Sequence, residues 1–218
     1  MKKKNQAWDE IYKHPQEYEF YDLSNAYEDL EKVIKWFKSK NVNYVLDLGC
    51  GIGRNLFPLI KAGFDVYGID NSQNAISSII STNIGKKIID KVSIGKFQKI
   101  PYENNFFDAI ISVQTLNHGY ESDIKKGISE IKRVLKPNGL IFITVPGRIS
   151  QGKIRYCLVK TARKVEKNTY IPTKGEEIGV PHYIFNKKLI FNLFSDFLIL
   201  NISKDKKDYY CIWGQKKD

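Results

Sequence analysis

Between Tyr44 and Val145 the chain alternates short apolar runs with amphipathic helices, and that alternation leaves few folds open. Tyr44-Val45-Leu46-Asp47-Leu48, stopped by glycines, reads as a buried strand. A helix carrying Leu56, Leu59 and Ile60 follows and ends near Gly63. Phe64–Ile69 is a second strand, and Ser72 can cap a helix with Ala75, Ile76, Ile79 and Ile80 on one side. Val92–Ile94 is a third strand and Phe106–Val113 a fourth. Ile124, Ile128, Ile131 and Leu135 mark a helix closed by Lys136-Pro137-Asn138-Gly139, before a fifth strand over Leu140–Val145. Near the end, Asn186 can cap a helix with Leu189, Ile190, Leu193 and Phe194. Strands near 197–203 and 208–214, joined by a Lys/Asp turn, then read as an antiparallel hairpin. Strands that alternate with helices imply a parallel sheet covered on both faces.

Residues 6–40 read as a mostly helical N-terminal extension. Leu30, Val33, Ile34 and Phe37 would pack on the body, with Trp8, Tyr12, Tyr18, Phe20, Tyr21 and Tyr27 scattered through it. The whole, 218 residues, reads as one α/β domain: a doubly wound, mostly parallel, seven-stranded sheet with the hairpin at one edge. Its parts are the extension (1–40), a core (42–147), an insert (148–182) and a C-terminal helix and hairpin (183–218).

No apolar run reaches the roughly 18 residues a spanning helix needs, so no membrane insertion is expected. The basic start leads into Trp8-Asp9-Glu10 and not into the apolar core of a signal peptide, so a cytoplasmic location is the expectation. Thirty-five Lys and Arg against 24 Asp and Glu give a net +11, which can mark a nucleic-acid partner. Thirty of those cations are Lys, whereas nucleic-acid readers favour the bidentate fork of Arg; a solvated Lys surface is the plainer reading. Cys50, Cys157 and Cys211 are far apart and form no CxxC, so neither a disulfide framework nor a metal site is expected.

The first strand runs into Gly49-Cys50-Gly51-Ile52-Gly53-Arg54-Asn55, where alternate glycines permit a sharp turn and close approach of a ligand to backbone. A dinucleotide fingerprint would need glycine where Arg54 stands, and a triphosphate loop would need G-K-[ST]; both are missing. The second strand ends at Asp70, 21 residues after Gly49, where an acid meets a ribose in this architecture.

Asp47-Leu48-Gly49-Cys50-Gly51-Ile52-Gly53, followed by Val66-Tyr67-Gly68-Ile69-Asp70, resembles motif I and its partner acid in the class I S-adenosylmethionine-dependent methyltransferases, whose fold is Rossmann-like. The resemblance continues through Ile100-Pro101-Tyr102, Phe106-Phe107-Asp108 and Ile131–Leu140, covering about residues 42–147. It implies S-adenosylmethionine as cofactor and S-adenosylhomocysteine as product. Carried over by position, Asp47, Gly49, Gly51 and Gly53 would line the methionine end, Asp70 would hold the ribose and Asn71 would lie beside the adenine. Phe97 and Gln98 would border its other face, and Val113 would offer its carbonyl near the ammonium or sulfonium. Where the family often has an acid to accept from the adenine amine, this chain has Lys96, which cannot accept while protonated.

The acceptor is narrowed by what is missing. Where relatives that methylate exocyclic base amines carry Asn/Asp-Pro-Pro-aromatic, this chain reads Ser112-Val113-Gln114-Thr115, and no cysteine lies between Cys50 and Cys157 to attack a pyrimidine. His118, just past the fourth strand, and His182, after Gly179-Val180-Pro181, are the candidate catalytic bases. His14 reads as an exposed surface residue.

Arg148–Lys167 holds seven cations against Glu166, with Ile154, Leu158, Ala162 and Val165 at helical spacing, which reads as a basic amphipathic helix. The insert would form a lid over the ligand edge, hinged near its glycines. The expected activity is methyl transfer to a small-molecule acceptor. RNA methylation with the insert gripping phosphates, or a non-catalytic cofactor-binding subunit, are the alternatives, and no feature fixes an oligomeric state.

Overall fold

In a computed structural model, residues 6–17, 22–150, 153–154 and 161–218 are described. Five strands form the parallel part of the main sheet: β1 (Tyr44–Leu48), β2 (Asp65–Asp70), β3 (Val92–Ile94), β4 (Phe107–Val113) and β5 (Leu135–Pro146). Two more, β11 (Phe197–Lys204) and β12 (Tyr209–Lys216), close it as an antiparallel hairpin on β5. The order β11-β12-β5-β4-β1-β2-β3 confirms the expected doubly wound, seven-stranded sheet.

Alternation along the strands divides the core into two layers. Leu46, Ile110, Ile141 and Ile143 face Ile124, Ile128 and Ile131 of α5 (Glu121–Val134) and Ile190 of α6 (Lys187–Leu193). Val45, Ala109, Ile111 and Phe142 face the other way, onto Val33 and Phe37 of α2 (Leu30–Ser39), Leu56 and Leu59 of α3 (Leu56–Lys61), and Ile76 and Ile79 of α4 (Gln73–Ser81). The sequence-level caps are in place: Ala75 N–H donates to Ser72 Oγ (3.1 Å) and Leu189 N–H to Asn186 Oδ1 (2.9 Å).

The extension is mostly helical over its described residues, as expected, in separate pieces: α1 spans Gln6–Lys13, a 3-10 turn spans Pro15–Glu17, and α2 follows after the non-helical stretch 22–29. Pro15 brings no N–H to a continuing helix and Asp22 sits at φ +49°, which keeps the pieces apart. Tyr18, Phe20 and Tyr21 lie outside the described residues. Two expectations need correction. The first is that β5 begins at Leu135, paired with Phe107, and the Lys136–Gly139 turn becomes an irregularity inside the strand with Asn138 at φ +61°.

The second correction concerns the insert. Its described parts form the pairs β6 (Ile149–Ser150) with β7 (Lys153–Ile154), and a small antiparallel sheet of β8 (Ala162–Lys164), β9 (Thr169–Pro172) and β10 (His182–Tyr183). Helical spacing at Ala162 gives way to pairing with the β-prone run Thr169-Tyr170-Ile171, a tertiary contact outweighing local periodicity. Leu158 and Cys157 lie outside the described residues.

The chain passes from β1 to β2 on one side and later crosses to β4 on the other. This opens a crevice at the carboxyl ends of β1 and β4, the switch point where ligands bind in such sheets.

Candidate active site

The glycine loop folds back on its own strand layer. Gly49 and Cys50 N–H donate to Ile69 O (2.7 and 3.0 Å), Gly51 N–H to Asp70 Oδ2 (2.9 Å) and Gly53 N–H to Cys50 O (3.0 Å). With these amides spent internally, the loop offers no nest of free donors to a phosphate, which agrees with its missing phosphate signatures. Gly49 (φ +81°) and Gly51 (φ +54°) need both their backbone freedom and their lack of a Cβ. A Cβ on Gly49 would collide with the Thr115 side chain, and one on Gly51 would sit 2.8 Å from the Tyr12 hydroxyl.

Beyond the loop lies a cavity of about 380 Å³, within the usual range for small ligands. Of the expected cofactor residues, Gly49, Gly51, Asp70, Asn71, Phe97, Gln98 and Val113 line it. Asp47 and Gly53 do not: Gly53 lies in the loop itself without lining the cavity, and Asp47, at the end of β1, is 1% exposed. Neither Asp47 carboxylate oxygen has a hydrogen-bond partner, and burial, eased by Arg54 and opposed by Asp70, pushes its pKa up to about 7.

Asp70 is the better-held acid. Its Oδ2 accepts from Gly51 N–H and its Oδ1 from Ser72 N–H (2.9 Å each), leaving lone pairs on both oxygens. Burial raises its pKa, against the lowering effect of those amides. The carbonyl of Val113 accepts from the Thr115 hydroxyl (3.2 Å), and Lys96 lines the cavity. Cys50 is packed in the core with its thiol pKa raised by burial, as befits a structural residue.

Several cavity residues escaped sequence reasoning. Trp8 and Tyr12 come from α1, which is fixed over the crevice by Asp9: its Oδ1 accepts from Ser72 Oγ (2.7 Å) and Asn74 N–H (3.0 Å). Gln114 lines the cavity at φ +56°, an unusual conformation for a side-chain-bearing residue and a signal seen only in the structure. Its N–H donates to Thr144 Oγ1 (2.9 Å).

The two candidate bases come together at the cavity rim. His118 lines the cavity; His182, 8% exposed, does not, and its ring meets that of His118 edge-on at 5.0 Å between centroids. Between them reaches Glu177, unremarked in the sequence: Oε1 lies 3.6 Å from His118 Nε2 and Oε2 3.4 Å from His182 Nε2. Burial, with a contribution from Glu176, pushes Glu177 up to about 7, and burial pushes His182 down to about 4. His14 is exposed, as expected, 4.0 Å from Glu17.

The donor set can be tested against a cofactor. Asp70 and Asn71 offer acceptors suited to a diol, the aromatic rings of Phe97, Trp8 and Tyr12 offer apolar walls, and the Asp70 carboxylate suits hydroxyl donors or a cation better than a phosphate. Residues 46–143 match the family model described as a methyltransferase domain. Over that stretch, a little under half of its length, the chain is similar to methyltransferase domains.

Relatives of this chain differ in acceptor. It is 25% identical over 169 residues to the tRNA N(3)-cytidine methyltransferase of Danio rerio, covering 73% of this chain and 46% of that protein. It is 32% identical over 106 residues to the ubiquinone biosynthesis O-methyltransferase of Bartonella bacilliformis, covering 48% and 41%. The chain thus spans about half the length of the curated relatives it matches. Solved structures share the fold: a protein of Pyrococcus horikoshii (TM-score 0.69, 20% identity, 93% and 99% covered) is one. Another is the 1,6-didemethyltoxoflavin-N1-methyltransferase of Burkholderia thailandensis with bound 1,6-didemethyltoxoflavin and S-adenosylhomocysteine (TM-score 0.67, 14% identity, 98% and 88% covered).

Proposed function

We propose that this chain binds S-adenosylmethionine across the glycine loop and transfers its methyl group to a small-molecule acceptor. The observation that carries this reading is the cavity itself. One wall holds Gly49, Gly51 and Asp70, and Trp8, Tyr12, His118 and Val180 bound the same space, so cofactor and acceptor share one compact chamber. The cofactor supplies an electrophilic methyl whose bond to sulfur breaks, leaving the electron pair on sulfur, as the bond to the acceptor forms.

The protein's part is alignment and exclusion of water. Asp70 accepts from the ribose hydroxyls, and Asn71, Phe97 and Gln98 flank the adenine. The free lone pair of the Val113 carbonyl points the positive end of the ligand. His118, on the cavity wall, stands where an acceptor proton would leave, with His182 behind it as its positioning partner. The insert, contributing Val180, acts as the lid of the acceptor side; replacing 148–182 with a Gly/Ser linker should preserve cofactor binding and abolish turnover.

Calorimetry tests the cofactor: S-adenosylhomocysteine should bind in the micromolar range and NAD and ATP should not. Preferential NAD binding overturns the reading. RNA as acceptor is favoured by one observation, the likeness to tRNA methyltransferases, together with exposed Arg163, Lys164 and Lys167 on the insert. Several phosphate contacts would make RNA binding fall steeply between roughly 50 and 200 mM salt. We expect no such steep, specific binding; finding it would transfer the acceptor to RNA.

A further inference from the structure

We propose that His118, Glu177 and His182 form a binding site for a divalent transition-metal ion of the zinc class at the acceptor side of the cavity. Their candidate ligand atoms all lie within 4.8 Å of one another, drawn from two segments almost 60 positions apart in the chain. Two imidazoles and one carboxylate are a ligand set that holds zinc while leaving a coordination position open.

Local structure builds the cluster and holds it. Val180 N–H donates to Glu177 O (3.0 Å), and Gly179 at φ +82° reverses the chain, so Glu177 and His182 return to the same side. Tyr183 N–H then donates to Asn117 O (2.8 Å), which ties the residue after His182 to the residue before His118. The second observation that points to a ligand is His182 Nε2. It is buried, faces Glu177 Oε2, and makes no hydrogen bond. A buried ring nitrogen without a partner is costly unless something else occupies its lone pair.

Because His118 also lines the cavity, the open position faces the acceptor space. With a metal held there, His118 would serve as a ligand and not as the base: coordination would lower the pKa of a bound hydroxyl or thiol, its proton would pass to solvent, and a lone pair would remain for the methyl carbon. The acceptor class that follows is a small molecule with an ionisable hydroxyl or thiol. That class rests on the methyltransferase reading above, whereas metal binding does not.

The full chain, stripped with a chelator, should be titrated with Zn2+ by calorimetry and with Co2+ by visible absorption. The expected result is one equivalent bound and a Co2+ spectrum typical of low coordination number. His182→Gln and Glu177→Gln should each weaken Zn2+ binding by about 100-fold or more, at least the loss seen when ligand-supporting groups are removed. His14→Gln should leave it unchanged, and near-ultraviolet circular dichroism reports whether each variant is folded. Absence of stoichiometric binding, or equal binding by folded His182→Gln and wild type, overturns the site. S-adenosylhomocysteine binding by the metal-free chain tests the methyltransferase reading separately, so the two failures are distinguishable.

Discussion

Asp70 has two duties, and its substitution should reveal both. In Asp70→Ala the ribose loses a charged acceptor, which should cost about 2–3 kcal/mol, or roughly 30- to 150-fold in S-adenosylhomocysteine affinity by calorimetry. The same change strands the Gly51 and Ser72 amides, so thermal stability should fall as well. Asp70→Asn keeps one accepting oxygen but turns an NH2 toward the other amide, so it should bind better than Ala while still losing stability. Asp47 behaves differently, because nothing in the apoprotein pairs with it. Its folded pKa, about 7, lies above the unfolded value of roughly 3.9, so ionised Asp47 destabilises the fold increasingly as pH rises from about 4 to 7. Asp47→Asn does not titrate. Its melting temperature relative to wild type should therefore rise across that window, by the equivalent of a few kcal/mol, and flatten above about pH 8. A pH-independent difference would place the proton elsewhere. Asp70 was legible in sequence because a ribose-binding acid is fixed by local spacing from the loop. Glu177, Trp8 and Tyr12 were not, because what brings them to the crevice is contact between distant segments.

Among elements, α1 brings Trp8 and Tyr12 to the cavity and is held to the body through Asp9. Three hydrogen bonds from Asp9 and Asn74 tie it to the start of α4: Ser72 Oγ and Asn74 N–H donate to Asp9 Oδ1, and Asn74 Nδ2 to Asp9 O. Asp9→Ala removes the two side-chain bonds, each charge-assisted and worth about 1.5–3 kcal/mol at most. We expect α1 amides to lose at least about 10-fold in hydrogen-exchange protection and cofactor affinity to fall, with the global melting temperature little changed. A large drop in melting temperature would mean α1 belongs to the cooperative core. The strands and the long helices were read correctly because their burial is periodic. The insert was misread because its residues answer to a partner segment, Ala162–Lys164 pairing with Tyr170–Pro172, and the break between the extension's helices was not read because distant contacts place it, as where Tyr27 N–H donates to Asn55 Oδ1 (2.9 Å). Local spacing is a poor guide where the neighbour, not the helix period, selects the conformation.

At the scale of the whole molecule, two ion pairs hold the amino-terminal ends of the central strands and the neighbouring helix, and contribute to the response to acid. Burial opposes ionisation of Asp108, but the Lys136 ammonium (2.6 Å) and the Tyr44 and Asn43 amides outweigh it and hold its pKa below the usual value. Glu130 is likewise lowered, first by Arg133 (2.7 Å), against some burial, and then by Ile100 N–H (2.8 Å). Asp108 thereby joins β1, β4 and β5, and Glu130 joins α5 to the loop before β4. A carboxylate with a depressed folded pKa stabilises above its unfolded pKa, about 3.9 for Asp and 4.3 for Glu, and that contribution fades as pH falls through the folded value. Both side chains keep some solvent access, so each pair is worth about 1 kcal/mol or less after screening. Asp108→Asn and Glu130→Gln should therefore melt below wild type at pH 7, and the gap should close below about pH 3. The comparison cancels most of the self-repulsion that a chain of net charge +11 gathers in acid, since wild type and variant share it once the carboxyls are protonated. A gap that persists at pH 2 would show that these side chains hold the strand ends by shape and neutral hydrogen bonding, not by charge.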